Sequence, residues 1–158
     1  MSEWDTKLEA IAESSIYLYF TILWVLPPWF HSPYNTFLIK TGRQNLTEVW
    51  PNLEVFFHGG ISFAPYREQY RERISNPDMH YVETYNASEG FFAVQNDLSV
   101  AGMLLLIDLG IFYEFIPLGK SNEHAVPLWE VEAGRNYEMV ITSNGGLWRY
   151  RMGDTVKI

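Results

Sequence analysis

Apolar and polar positions recur with two different periods along this chain, and the change of period divides it. Near the amino terminus Trp4, Leu8, Ile11 and Ala12 stand at helical spacing with Glu9 and Glu13 on other faces, which predicts a helix over about Glu3 to Ser14. An uncharged apolar run follows, Ile16 to Phe30. Ser32-Pro33 then supplies a cap and first turn for a helix carrying Tyr34, Phe37 and Leu38, with Gly42 as its stop. Asn45 to Pro51 reads as a short helical turn leading into Leu53 to Phe57, which is apolar on both faces like a buried parallel strand. Pro65 to Ile74 is a polar, arginine-rich helix whose alternating charges read as a solvated face, closed by Asn76-Pro77-Asp78. From Met103 onward the pattern is that of a β-meander. Its predicted strands are Met103–Ile107, Ile111–Pro117, Ala125–Val131, Asn136–Ser143, Leu147–Arg151 and Asp154–Ile158, with turn signals between them. The fold class is therefore α/β. Residues 1–100 form an α/β portion with parallel strands, residues 101–158 an antiparallel meander or barrel-like part, and together they make a single partial domain.

Composition narrows the function. Apolar residues make up 47% of the 158, enough for a core, and charged residues at 19% argue against disorder. A formal charge of −8 opposes a nucleic-acid or anionic-membrane surface, so neither partner is expected. Cysteine is absent, which excludes disulfides and thiol chemistry and is compatible with the cytoplasm. The Ile16–Phe30 run is shorter than the ~20 residues that span a bilayer, and Pro27-Pro28 breaks it. Glu3, Asp5, Glu9 and Glu13 outnumber Lys7 ahead of it, unlike a signal peptide. It reads as buried core.

Three stretches carry candidate chemistry. Tyr85-Asn86-Ala87-Ser88-Glu89-Gly90 interrupts the strand-like runs Met79 to Thr84 and Phe91 to Gln95, so it reads as a loop at a strand end. It presents a hydroxyl beside a carboxylate. Magnesium is commonly held by one or two carboxylates with phosphate and water completing its shell; a plain turn accounts for the same residues. In Gly145 to Asp154, alternation places Leu147, Arg149 and Arg151 on one face and Trp148, Tyr150 and Met152 on a core face. The two arginines suit phosphate or carboxylate recognition, or pairing with Glu138, Glu114 or Glu132. Asp154, set in a turn by Gly153, can accept from a vicinal diol, as ribose-binding carboxylates do. His58-Gly59-Gly60 closes a predicted parallel strand, where ligands gather in open α/β sheets and glycine lets backbone approach closely. His58 itself reads as structural or as a pocket wall.

The second and third nucleotide motifs of adenylate-forming enzymes resemble the Tyr85–Gly90 and Gly145–Asp154 stretches. Phe112 to Pro117, Glu130 to Gly134 and Tyr137 to Val140 add to the set, which resembles the GH-three (auxin-responsive promoter) family of acyl-acid amido synthetases over roughly Leu46 to Ile158. That resemblance implies part of an adenylate-forming large domain and an ATP- and Mg-dependent ligase joining a small carboxylic acid to an amino acid. It implies adenine near Gly59, Gly60 and Tyr85, the α-phosphate at Ser88, the metal at Glu89, charge stabilisation by Arg151 and ribose at Asp154. The family's phosphate loop and lid are not found in the chain, so a piece of a longer protein is expected, inactive alone. A coenzyme A ligase on the same scaffold and a non-catalytic remnant that binds nucleotide or acid are the alternatives. Oligomeric state is not legible.

Overall fold

The computed structural model describes residues 3–158, with the side chains of residues 29–32 outside the description. It forms two compact units, one ending at Leu105 and one running from Leu106 to Ile158. No helix among the described residues is long and apolar enough to cross a membrane.

The first unit is a five-stranded sheet with helices. Its strands are β1 (Ile22–Trp24), β2 (Val55–Gly59), β3 (His80–Ala87), β4 (Gly90–Val94) and β5 (Leu104–Leu105), in that order across the sheet. The pairs β1–β2 and β2–β3 are parallel, with Ile22 opposite Val55 and Val55 opposite His80. The pairs β3–β4 and β4–β5 are antiparallel. The helices are α1 (Glu3–Ser15), α2 (His31–Thr41), α3 (Leu46–Val49) and α4 (Arg67–Arg73). Gly42, at φ +66°, ends α2 as a left-handed residue does at a helix terminus. Asn45 caps α3 by accepting from the Glu48 amide at 3.1 Å. The expected cap at Ser32 falls on an undescribed side chain.

The core joins Ala12, Phe37, Leu46, Trp50, Leu53, Phe56, Phe63, Tyr70 and Ile74. Its centre is aromatic: Phe37 and Trp50 meet edge to face at 4.8 Å, and Phe56 lies 4.8 Å from Tyr70. The solvated face expected of α4 holds for Arg67, Glu68, Arg71 and Glu72 and is corrected at Arg73. Tyr70, Arg73 and Ile74 are buried at i, i+3 and i+4, and the Arg73 guanidinium sits 4.5 Å over the Tyr34 ring. The Tyr70 hydroxyl donates to the Pro27 carbonyl at 2.8 Å.

The Ile16–Phe30 run also departs from its expectation of buried core. Leu23 and Val25 pack against the core, but Tyr17, Leu18, Tyr19, Ile22, Trp24 and Leu26 are exposed, Tyr17 at 91%. For Ile22 and Trp24 the cause is β1 itself, whereas Tyr17, Leu18, Tyr19 and Leu26 lie outside it. β1 is a three-residue edge strand, so its alternate side chains face away from the helices. Trp29 and Phe30 lie outside the described side chains.

The second unit is an antiparallel sheet of β6 (Ile111–Pro117), β7 (Val126–Pro127), β8 (Asn136–Ser143) and β9 (Tyr150–Lys157), ordered β7-β6-β8-β9. Tyr113, Phe115, Ile116, Tyr137, Met139, Val140 and Ile141 are its buried residues. The last strand starts later than alternation predicts. Gly146 at φ +100° and Arg149 at φ +45° keep residues 145–149 in a turn, closed by the Ser143 amide on the Leu147 carbonyl at 2.9 Å. Trp148, expected in the core, is therefore 82% exposed, and Tyr150 is exposed as well.

Candidate functional site

The carboxyl ends of β2 and β3 are locked together by a glycine. A Cβ built on Gly59 would lie 2.3 Å from the Thr84 carbonyl oxygen and 2.9 Å from its hydroxyl, so only glycine lets the two backbones approach this closely. Thr84 is buried, and its hydroxyl donates to the His58 carbonyl at 3.0 Å. Gly60, at φ +76°, then turns the chain out of the sheet.

His58 is a core residue. It is 1% exposed, stacked on Phe63 at 3.9 Å between ring centres, and neither ring nitrogen has a hydrogen-bond partner among the described residues. Burial, and secondarily the charge of Arg67, lower its pKa to about 4, so the ring is neutral at pH 7. Glu83, opposite it on β3, is shifted the other way by burial.

The Tyr85–Gly90 hexapeptide is less of a loop than its sequence predicts. Tyr85, Asn86 and Ala87 belong to β3 and Gly90 opens β4, with Ala87 opposite Gly90, leaving Ser88-Glu89 as the whole turn. Among the described residues only Arg149 combines a side chain with positive φ, so this is not one of the primed turns usual in two-residue hairpins. A bulge between Tyr85 and Asn86 lies next to it, and bulges add local twist to a strand pair. The hydroxyl and carboxylate thus project from a tight tip. Tyr85 is half-buried, its ring 5.1 Å from Phe92. The structure therefore brings Gly59, Gly60 and Tyr85 together at the carboxyl ends of β2 and β3, with Ser88 and Glu89 just beyond.

Arg151 and Asp154 belong to the second unit, and both stand on β9. The Arg151 guanidinium is held at both ends. Its Nε donates to the Glu138 carboxylate at 2.7 Å, Nη2 donates to the same group, and Nη1 reaches Asn122 Oδ1 at 2.9 Å. That hydrogen bonding holds the Glu138 carboxyl below the usual carboxylate range, helped by the Gly153 amide, and raises Arg151. Arg149 makes the matching pair with Glu114 at 2.9 Å. The acid-pairing alternative is thus the observed one. Asp154 is exposed and sits in a strand bulge, not a turn. Glu138 faces Thr155 and Val140 faces Arg151, so Met139 alone opposes Met152 to Asp154, with Gly153 at φ +79°. Sequence reasoning missed Thr84 as the clasp between β2 and β3 and Asn122 as a third hold on Arg151. A threonine just ahead of the hexapeptide was the signal for the first; the second rests on a distant contact.

The fold is similar to those of solved structures. A 2-hydroxyisobutyryl-CoA ligase structure superposes on 99% of the chain with TM-score 0.65 at 14% identity, the chain covering 32% of it. AtGH3.15, an acyl acid amido synthetase solved in complex with 2,4-DB, superposes on 71% with TM-score 0.57 at 23% identity, 20% of that protein being covered.

Residues 104–158 match the GH3 family central domain. The chain's relatives include the jasmonoyl–L-amino acid synthetase GH3.5 of Oryza sativa subsp. japonica, 36% identical over 70% of the chain and 22% of the relative. The probable indole-3-acetic acid-amido synthetase GH3.1 of Arabidopsis thaliana is 32% identical over 72% of the chain and 19% of the relative. The chain thus spans about a fifth of the length of the curated relatives it matches.

Proposed function

We propose that this chain supplies part of the nucleotide site of an ATP-dependent acyl-acid amido synthetase, acting on a small carboxylic acid and an amino acid in the cytoplasm. The observation that carries the reading is the Ser88-Glu89 turn at the carboxyl end of β3, four residues beyond the Thr84 that pairs with Gly59 at the end of β2. Ligands of open α/β sheets collect at such strand ends. In the first unit Ser88 donates to the α-phosphate and Gly59, Gly60 and Tyr85 border adenine; in the second unit, taken by itself, Asp154 is the residue that would accept from ribose hydroxyls. Glu89 is the residue that would hold Mg²⁺, since magnesium takes one or two carboxylates with phosphate oxygens and water. Bound there, the ion offsets phosphate charge.

The acid's carboxylate oxygen attacks the α-phosphorus, pyrophosphate leaves, and an acyl-adenylate results. The amino acid's amine then attacks the acyl carbon, AMP departs, and the nitrogen gives up its proton to leave an amide. Positioning and charge stabilisation dominate such phosphoryl transfers. Arg151 takes part by exchanging Glu138 for phosphate, since its fork is already filled.

Equilibrium dialysis of ATP tests the site. Hydrogen bonds to a charged group are worth ~1.5–3 kcal/mol. Asp154→Asn should therefore weaken ATP binding about 10- to 100-fold, since ~1.4 kcal/mol is one decade. The same variant should bind an ATP analogue lacking both ribose hydroxyls as wild type does. Equal impairment with ATP and the analogue would remove Asp154 from the ribose and overturn the assignment. In a longer protein containing this chain, amide rather than thioester product separates the synthetase from a coenzyme A ligase.

A further inference from the structure

The first unit carries a second polar cleft, at the opposite end of β3 from the Ser88-Glu89 turn. Its volume is about 590 Å³, and it is lined by α4, the connection from Ile74 to Met79 and the start of β3. Small-molecule sites commonly have this size. His80 and Ala87 are the first and last residues of β3, so at ~3.3 Å per residue the cleft stands ~20 Å from the turn.

Two groups in the cleft point to an anion. Arg67 and Arg71 lie one helical turn apart on α4 and both line it. Tyr81 lines it too. The Tyr81 hydroxyl is buried, has no hydrogen-bond partner among the described residues, and lies within electrostatic reach of both guanidiniums. Arg67 forms no ion pair among the described residues; its guanidinium lies 5.5 Å over the Phe63 ring, and Glu83 feels its charge. Arg71 holds Glu68 at 3.1 Å, but both side chains are mostly exposed, and such a pair is readily exchanged. Asn76 is already committed. Its amide donates to the Leu53 carbonyl at 3.0 Å and its oxygen accepts from the Asp78 amide at 2.9 Å, so it shapes the wall without recruiting a ligand.

Two guanidiniums lining one cleft, with Arg67 in no ion pair among the described residues, stand out in a chain of net charge −8. We propose that this cleft binds a small-molecule oxyanion carrying two charges, a phosphate ester or a dicarboxylate, through the forks of Arg67 and Arg71. Guanidinium forks match the oxygens of either group.

Equilibrium dialysis of the chain against radiolabelled inorganic phosphate and, separately, succinate tests the cleft, with chloride holding ionic strength constant. The expected result is saturable binding of at least one of them. The double variant Arg67→Gln/Arg71→Gln should weaken it about 10- to 100-fold or more, the size of one or more lost charge-assisted hydrogen bonds. Phosphate without succinate identifies a phosphate ester, and the reverse a dicarboxylate. Both arginines are exposed, so the double variant keeps the core intact, and an unchanged thermal midpoint checks this. Non-saturable uptake of both anions, or undiminished binding by the double variant, overturns the proposal.

Discussion

Gly59→Ala is the sharpest test of how the two candidate nucleotide segments of the first unit are held together. The new Cβ would stand 2.3 Å from the Thr84 carbonyl oxygen, a backbone atom, and 2.9 Å from its hydroxyl. Ordinary carbon–oxygen contacts are more than 3 Å. A flexible side chain could swing aside, but here one strand has to move from the other by roughly an ångström. That shift stretches the last rungs of the β2–β3 ladder and the Thr84 hydroxyl bond to His58. Overpacking a close-packed interior costs about 1–3 kcal/mol, and a stretched hydrogen bond adds about 1 kcal/mol. The expected loss is therefore about 2–4 kcal/mol, or roughly 5–15 °C in thermal midpoint for a chain of this size. Urea titration followed by tryptophan fluorescence measures it. Gly60→Ala is the control: its φ of +76° imposes strain, but its new Cβ meets only the Leu26 side-chain end at 2.8 Å. A Gly59→Ala loss no larger than that of Gly60→Ala would refute the interlock.

Other predictions follow from the buried histidine and the exposed apolar surface. The His58 pKa is about 4 when folded against 6.5 in the open chain, so the unfolded state binds a proton first as pH falls. Stability is then full above about pH 6.5 and declines toward pH 4 by ~3 kcal/mol, at 1.36 kcal/mol per pKa unit. His58→Phe removes that slope, and a wild-type slope in the variant would count against it. Tyr17, Tyr19, Ile22, Trp24 and Leu26 are all exposed near one edge strand, so the purified chain should self-associate and bind a hydrophobic dye. Trp24→Glu should reduce both, and a clean, dye-negative wild-type monomer by light scattering would contradict this.

Local signals in the sequence were legible where a few neighbouring residues decide the outcome. Gly42 stops α2, Asn45 caps α3, and the strands Ile111–Pro117 and Asn136–Ser143 have the bounds that alternation predicts. Contacts between distant segments decide the rest. The apolar run after α1 says that its residues avoid water, yet β1 is a sheet edge and only every second side chain finds the core. Arg73 counts as a surface charge until Tyr34 is folded over it. For the candidate site, residue types were readable but their setting was not. Arg149 at positive φ and the Gly153 bulge moved the start of β9, and that exposed Trp148. The acids that fill the Arg149 and Arg151 forks were among those foreseen, although only the fold shows which acid meets which arginine.

The parallel register has a consequence for how the chain assembles as it is made. Thr84 pairs with Val94 and Ile141 with Tyr150, so each hairpin closes within a few residues of its own turn. Such hairpins form in about 1–10 μs. Ile22, by contrast, must wait for Val55, and Val55 in turn for His80. At roughly 5–20 residues per second, those waits on the ribosome last seconds. For that interval β2 has a partner on one side only, with Phe56 and Phe57 not yet enclosed. Unpaired apolar strands of this kind are where nascent chains misassociate. Slowing translation just after residue 59 should therefore lower the soluble yield, and slowing it after residue 94 should not.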